Sequence, residues 1–103
     1  MTQFVFLYRV PTGYVPGDPE TRMAWQSWFD GMGAGLIDVG KPVLASSAVG
    51  TCEGDVRLGG FSVVEAEDMD AALQIAGGCP ALGQGGGVEV GGLVEVSALG
   101  EQT

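Results

Sequence analysis

The sequence predicts an α+β domain whose elements run strand, helix, strand, strand, helix, strand. Three observations carry that expectation. Phe4, Phe6, Tyr8 and Val10 recur at every second position, the period of a strand. Asp18-Pro19 opens a run in which Trp25, Trp28, Phe29 and Met32 fall at i, i+3, i+4 and i+7, the period of a helix face. A second run of this kind, started by Asp68 and stopped by Gly77-Gly78, lies between two further stretches rich in alternating aliphatics.

The first strand is expected over Gln3–Val10. Its other face carries Val5, Leu7 and Arg9, so both faces hold large apolar groups. Pro11 to Pro16 reads as a loop. In the first helix Asp18 is the N-cap, Pro19 takes the position where a missing N–H costs nothing, and Glu20 complements the positive end of the helix dipole. Glycines at 31, 33 and 35 end the helix near Met32 to Ala34. Leu36 and Ile37 return to the core, and Asp38 to Pro42 reads as a turn. A second strand is expected over Val43–Thr51, a turn at Glu53-Gly54-Asp55, and a third strand over Arg57–Ala66. In that strand Phe61, Val63 and Glu65 alternate with Ser62, Val64 and Ala66. Asp68 caps the second helix, whose buried stripe is Met69, Ala72, Leu73 and Ala76, and Pro80 confirms its stop. The last strand is expected from Val88 to about Val96, with a bulge or bend at Gly91-Gly92.

This order is the split βαβ pattern of ferredoxin-like domains: a four-stranded antiparallel sheet with two helices on one face. The whole chain, 1–103, fits one domain. The bare face would expose the Val5 and Leu7 side of the first strand. A homodimer that packs open sheet face against open sheet face, as in a dimeric α/β barrel, would cover it.

Composition narrows the function. Thirteen acidic residues face only four basic ones, Arg9, Arg22, Lys41 and Arg57, which are scattered, so nucleic acid and anionic membranes are not expected as partners. No apolar run reaches the length of a bilayer span, and the N-terminal stretch lacks a signal-peptide pattern, so a cytoplasmic protein is expected. Without histidine, a Cys/His metal site and a serine–histidine nucleophile both fall away, and no cofactor is expected. Cys52 and Cys79 read as small buried or half-buried side chains. Cys79 follows a helix C-terminus, where the dipole raises a thiol pKa. The glycine runs at 31–35 and 83–87 lack the strand-to-helix context or the Lys-Ser/Thr pair of phosphate loops, and read as turns.

The chain resembles the YCII-related (DGPF-like) domain family over nearly its whole length. The resemblance is carried by Phe4-Val-Phe-Leu-Tyr8, Trp25-x-x-Trp28-Phe29, Leu36-Ile-Asp-x-Gly40-x-Pro42, Gly59-Gly-Phe-Ser-Val-Val-Glu-Ala66, Asp68-Met-Asp-Ala-Ala72, Gly78-Cys-Pro80 and Gly86-x-Val-Glu-Val90. It implies a dimeric α/β-barrel assembly. Part of that family resembles muconolactone isomerases, and a His/Asp pair is the acid–base centre proposed there. This sequence has no histidine, and Glu53-Gly-Asp-Val-Arg-Leu-Gly-Gly-Phe61 stands where the Asp-Gly-Pro-Phe motif would be.

Six residues are candidates for a site. Asp38 is either a turn cap or, if buried, a general base. Glu65 either forms a sheet-face ion pair with Arg9 or serves as a polar group in an apolar pocket. Tyr8, Arg9, Trp28 and Ser62 are candidate ligand contacts, although aromatics at these spacings also build cores. The first reading is a dimeric, non-catalytic or accessory domain that holds a small apolar or aromatic ligand between sheet and helices. The alternative is a cofactor-free isomerase or lyase-type enzyme on an aromatic-derived substrate, with Asp38 or Glu65 as its carboxylate. A third reading is an interaction module that pairs its sheet edge with another protein.

Overall fold

A computed structural model describes residues 1–14, 17–52, 54 and 56–100. Its regular elements are β1 (Thr2–Pro11), α1 (Pro19–Met32), a single 3-10 turn (Gly33–Gly35), β2 (Leu36–Pro42), β3 (Val56–Ala66), α2 (Met69–Ala76), α3 (Pro80–Gly83), β4 (Gly87–Gly92) and α4 (Val96–Gly100). The strands form one open α+β sheet in the order β2-β3-β1-β4 with every pairing antiparallel, an order compatible with a ferredoxin-like fold.

Both caps expected from the sequence form. The Asp18 carboxylate accepts from the Thr21 N–H at 3.3 Å, and that of Asp68 from the Ala71 N–H at 2.8 Å. In β1 and β3 the alternation sorts side chains as expected. Phe4, Phe6 and Tyr8 stand opposite Val64, Ser62 and Gly60 on the covered face, where all six are buried. Val5 and Leu7 stand opposite Val63 and Phe61 on the other face, where they are half-buried. The core lies on the covered face alone, with Ala72 and Ala76 of α2 fully enclosed and Trp25, Trp28 and Phe29 of α1 packed against it.

Several expectations need correction. The second strand is not Val43–Thr51. That stretch carries no strand, and its Leu44 and Val49 are 74% and 95% exposed. The strand is Leu36–Pro42, expected as a re-entry and turn. Asp38 and Gly40 bulge it, because the Asp38 carboxylate takes the Gly40 N–H at 2.8 Å and the register with β3 shifts on both sides of Asp38. Pro11, placed in the loop, ends β1 instead, and the Tyr14 N–H closes a turn onto its carbonyl. Of the loop expected over 11–16, residues 15 and 16 lie outside the described residues, as do 53 and 55 of the next turn. The last strand stops at Gly92, and Val96 opens α4. The β1–β4 register runs unbroken through Gly91 and Gly92. The bulge lies across the strand pair β1–β3, where the register shifts between Tyr8 and Arg9. The buried stripe of α2 is narrower than expected, since Met69 and Leu73 are 41% and 50% exposed. Pro80 begins α3 as well as ending the preceding turn.

Gly40 has φ +73°, and a Cβ there would lie 1.7 Å from the Phe61 carbonyl oxygen. Gly40→Ala is expected to cost about 2–4 kcal/mol in urea unfolding. Gly13→Ala, with nothing within 4 Å of the new methyl, is expected to change stability by less than about 0.5 kcal/mol.

Candidate functional site

α1 carries no fully buried residue. It rests on the sheet through large rings. Tyr8 meets Trp25 edge-on at 4.7 Å between ring centroids and Trp28 at 5.9 Å, and Phe6 stacks on Trp28 at 6.1 Å. The Trp28 indole N–H donates to the Ile75 carbonyl at 3.2 Å, tying α1 to α2. Toward the N-terminal half of α1 these spacers leave a cavity of about 990 Å³ between helix and sheet. Its floor is Tyr8 and Val10 of β1 with Gly59, Gly60 and Phe61 of β3. One wall is Arg22, Trp25, Gln26 and Phe29 of α1, and the opposite wall is Val39 to Pro42 of β2. Tyr14 and Leu44 complete the rim. A volume of this size and an aromatic lining suit a small organic molecule.

Beneath the floor runs a buried polar chain. The Tyr8 hydroxyl donates to Ser62 Oγ at 2.8 Å, and Ser62 donates to the Val39 carbonyl at 2.7 Å. Ser62 is wholly buried, so the chain ties β1, β3 and β2 together and fixes the Tyr8 ring at the cavity. Burial pushes the Tyr8 phenol well above its ordinary range, against the smaller opposing pull of its Ser62 hydrogen bond, with Cys79 adding to the rise. Tyr8 is therefore a neutral donor and not a base. Trp25 lines the cavity, and its Nε1 has no hydrogen-bond partner among the described residues, so the indole carries an unused donor.

The six candidates fall into separate places. Tyr8, Ser62 and Trp28 come together on the covered face, with Tyr8 reaching the cavity. Arg9 and Glu65 are on the open face and are not neighbours: Glu65 stands opposite Gln3, six residues along β1 from Arg9. The expected Arg9–Glu65 pair is thus replaced by Arg9–Glu89 at 3.1 Å, between β1 and β4. Both partners are substantially exposed, so this pair adds at most about 1 kcal/mol. Asp38 is exposed and caps the Gly40 bulge.

Sequence reasoning missed Arg22, Gln26, Lys41 and Tyr14. The signal available was on α1, where Arg22 lies three residues before Trp25 and Gln26 directly follows it, both beside the face that carries Trp25 and Phe29. Arg57 has a supporting role: its guanidinium donates to the carbonyls of Val43, Leu58 and Tyr14, holding both loops at the cavity rim. Comparison with protein-family models, curated proteins and solved structures finds no match to this chain.

The two cysteines differ. Cys79 is buried, as expected. Burial pushes its thiol up to about 11, so desolvation is the main cause where the sequence pointed to the helix end. Cys52, expected to be at least half-buried, is exposed because the segment around it packs against nothing.

Ser62→Ala strands both the Tyr8 hydroxyl and the Val39 carbonyl and is expected to cost about 1–3 kcal/mol. Tyr8→Phe, which leaves the Ser62–Val39 bond in place, is expected to cost about 1 kcal/mol; urea melts of both variants give the order. The raised folded-state pKa of Cys79 also fixes a pH dependence. Its contribution is whole below the unfolded value of 9.0 and is lost as pH rises from there to about 11. Stability should fall across that window, and Cys79→Ala should flatten the slope. At pH 8 a thiol reagent should label Cys52 rapidly and Cys79 only on unfolding.

Proposed function

We propose that the chain acts as a homodimer, joined open sheet face to open sheet face, and that each protomer holds a small aromatic or apolar ligand in the cavity between α1 and the sheet. The cavity carries this reading, with an aromatic floor and wall of Tyr8, Trp25 and Phe29. Its lining among the described residues includes no carboxylate. Asp38 and Glu65, the carboxylates an acid–base mechanism would use, lie outside it, which favours binding over turnover.

The dimer rests on the open face. Val5, Leu7, Phe61 and Val63 form an apolar block at the centre of the sheet, on the two inner strands, with Arg9, Lys41, Glu65 and Glu89 around it. An apolar centre with a charged rim is the anatomy of a protein interface. Strands spaced about 4.8 Å apart and averaging eight or nine residues give on the order of 500 Å² of projected area per protomer, hence about 1,000 Å² or more in a pair. That is close to the lower bound for a specific interface. A second copy of the chain is the occupant that matches the face to itself. The resemblance to YCII-related domains points to the same assembly.

In sedimentation velocity at micromolar concentration the protein should run near twice its 10.5 kDa mass. Leu7→Glu, which sets a charge in the apolar centre, should shift it to monomer with its circular dichroism retained. A wild-type monomer would overturn the dimer. Ligand binding is read separately, by quenching of tryptophan fluorescence on titration with naphthalene derivatives. Val39→Trp, which fills one wall, should abolish the saturable signal.

A further inference from the structure

We propose that β4 is a second association edge: two copies of the chain pair there antiparallel, about a twofold axis normal to the sheet, with the outer flank of α2 closing over the seam. This contact is separate from the open-face dimer and stands or falls without it.

The sheet is bordered by β2 and β4. β2 is interrupted at Asp38 and Gly40, whereas β4 keeps an unbroken register with β1 and contains no proline. One bond sets its hydrogen-bonding phase. The Leu93 N–H donates to the Gln3 carbonyl at 2.9 Å, in the register that places Gly92 opposite Phe4. Bonding and non-bonding pairs alternate along an antiparallel ladder, so Gly91 and Glu89 also bond to β1, and the N–H and C=O groups of Val88, Val90 and Gly92 point outward. Those groups have no backbone partner among the described residues.

The strand is complementary to itself. Only registers that set outward groups against outward groups can bond. With Val90 against its own copy, Val88 meets the partner's Gly92, and every outward group of the strand is used. On the open face Glu89 then meets the partner's Gly91, so no like charges oppose. The register centred on Glu89 sets the two carboxylates against each other and leaves Gly92 beyond the end of the partner's strand.

α2 points to the same seam. Ala72 and Ala76 are buried under it, but Met69 and Leu73 of its apolar stripe are exposed. The Ile75 carbonyl takes the Trp28 indole N–H, so Ile75 marks the flank toward α1. Helical spacing places Met69 and Leu73 on the opposite flank. α1 packs toward β2 and α2 reaches β4, so that flank looks out over the β4 edge. Pairing brings the two flanks toward each other and withdraws Met69 and Leu73 from water.

The test is hydrogen exchange of the full chain, read residue by residue in dilute and in near-millimolar solution. The Val88, Val90 and Gly92 amides should exchange about tenfold or more slowly in the concentrated sample. Those of Glu89 and Gly91, already bonded to β1, should not change. Face-to-face packing makes no bond to any of these amides. In sedimentation at near-millimolar concentration the Leu7→Glu chain should still run near twice its 10.5 kDa mass. Adding Leu73→Glu or Gly92→Pro should return it to monomer. Both positions are exposed, and the Gly92 N–H makes no bond within the protomer, so circular dichroism should be retained. Equal exchange of the three outward amides at both concentrations, or a Leu7→Glu chain that stays monomeric, would overturn the edge pairing.

Discussion

The indole rings of Trp25 and Trp28 meet the Tyr8 ring edge to face, and this contact sets how far α1 stands from the sheet. Side chains of that size act as spacers. α2 meets the sheet through Ala72 and Ala76, which are fully enclosed, so it lies close and seals its half of the covered face. α1 cannot lie as close, and none of its residues is fully buried. The cavity is the space left at the N-terminal half of α1 by this mismatch between rings on one helix and methyl groups on the other. The buried Tyr8–Ser62–Val39 chain then holds the Tyr8 ring in place, so the spacer is fixed from below as well as from above.

Elements with a strong local signature were readable in the sequence. β1 and β3 have large side chains at period two, and α1 and α2 have a carboxylate cap followed by helical spacing. β2 was misplaced because its own residues argue against it: Asp38, Gly40 and Pro42 are turn formers. The strand exists because β3 supplies its hydrogen bonds, a non-local term that no local pattern reveals. The same holds for register. Whether Arg9 reaches Glu65 or Glu89 depends on strand offsets and on the shift near Tyr8. Both are set by loop lengths and by a bulge, not by the residues themselves. The candidate site was therefore half legible. Tyr8 and Ser62 could be assigned to the covered face by alternation, whereas Lys41 could not be placed while β2 was read as a turn.

The two faces of the sheet carry different chemistry although they belong to the same strands. The covered face has the rings, the buried hydroxyl pair and the cavity. The open face has Val5, Leu7, Phe61 and Val63 ringed by charges. Single-residue alternation keeps these apart, so a change at Leu7 and a change at Tyr8 act on different surfaces even though the residues are adjacent in sequence. The chemistry of one face can therefore be altered without touching the other.

The kink in β2 also bears on what the sheet refuses. As an outer strand it would otherwise offer a regular row of unpaired amides and carbonyls to any passing extended segment. The Asp38 carboxylate captures the Gly40 amide, Pro42 brings no amide at all, and the offsets break the repeat. A strand arriving from outside would find no continuous ladder to copy. The irregularity that shapes one wall of the cavity thus also protects the rim of the sheet from open-ended polymerisation.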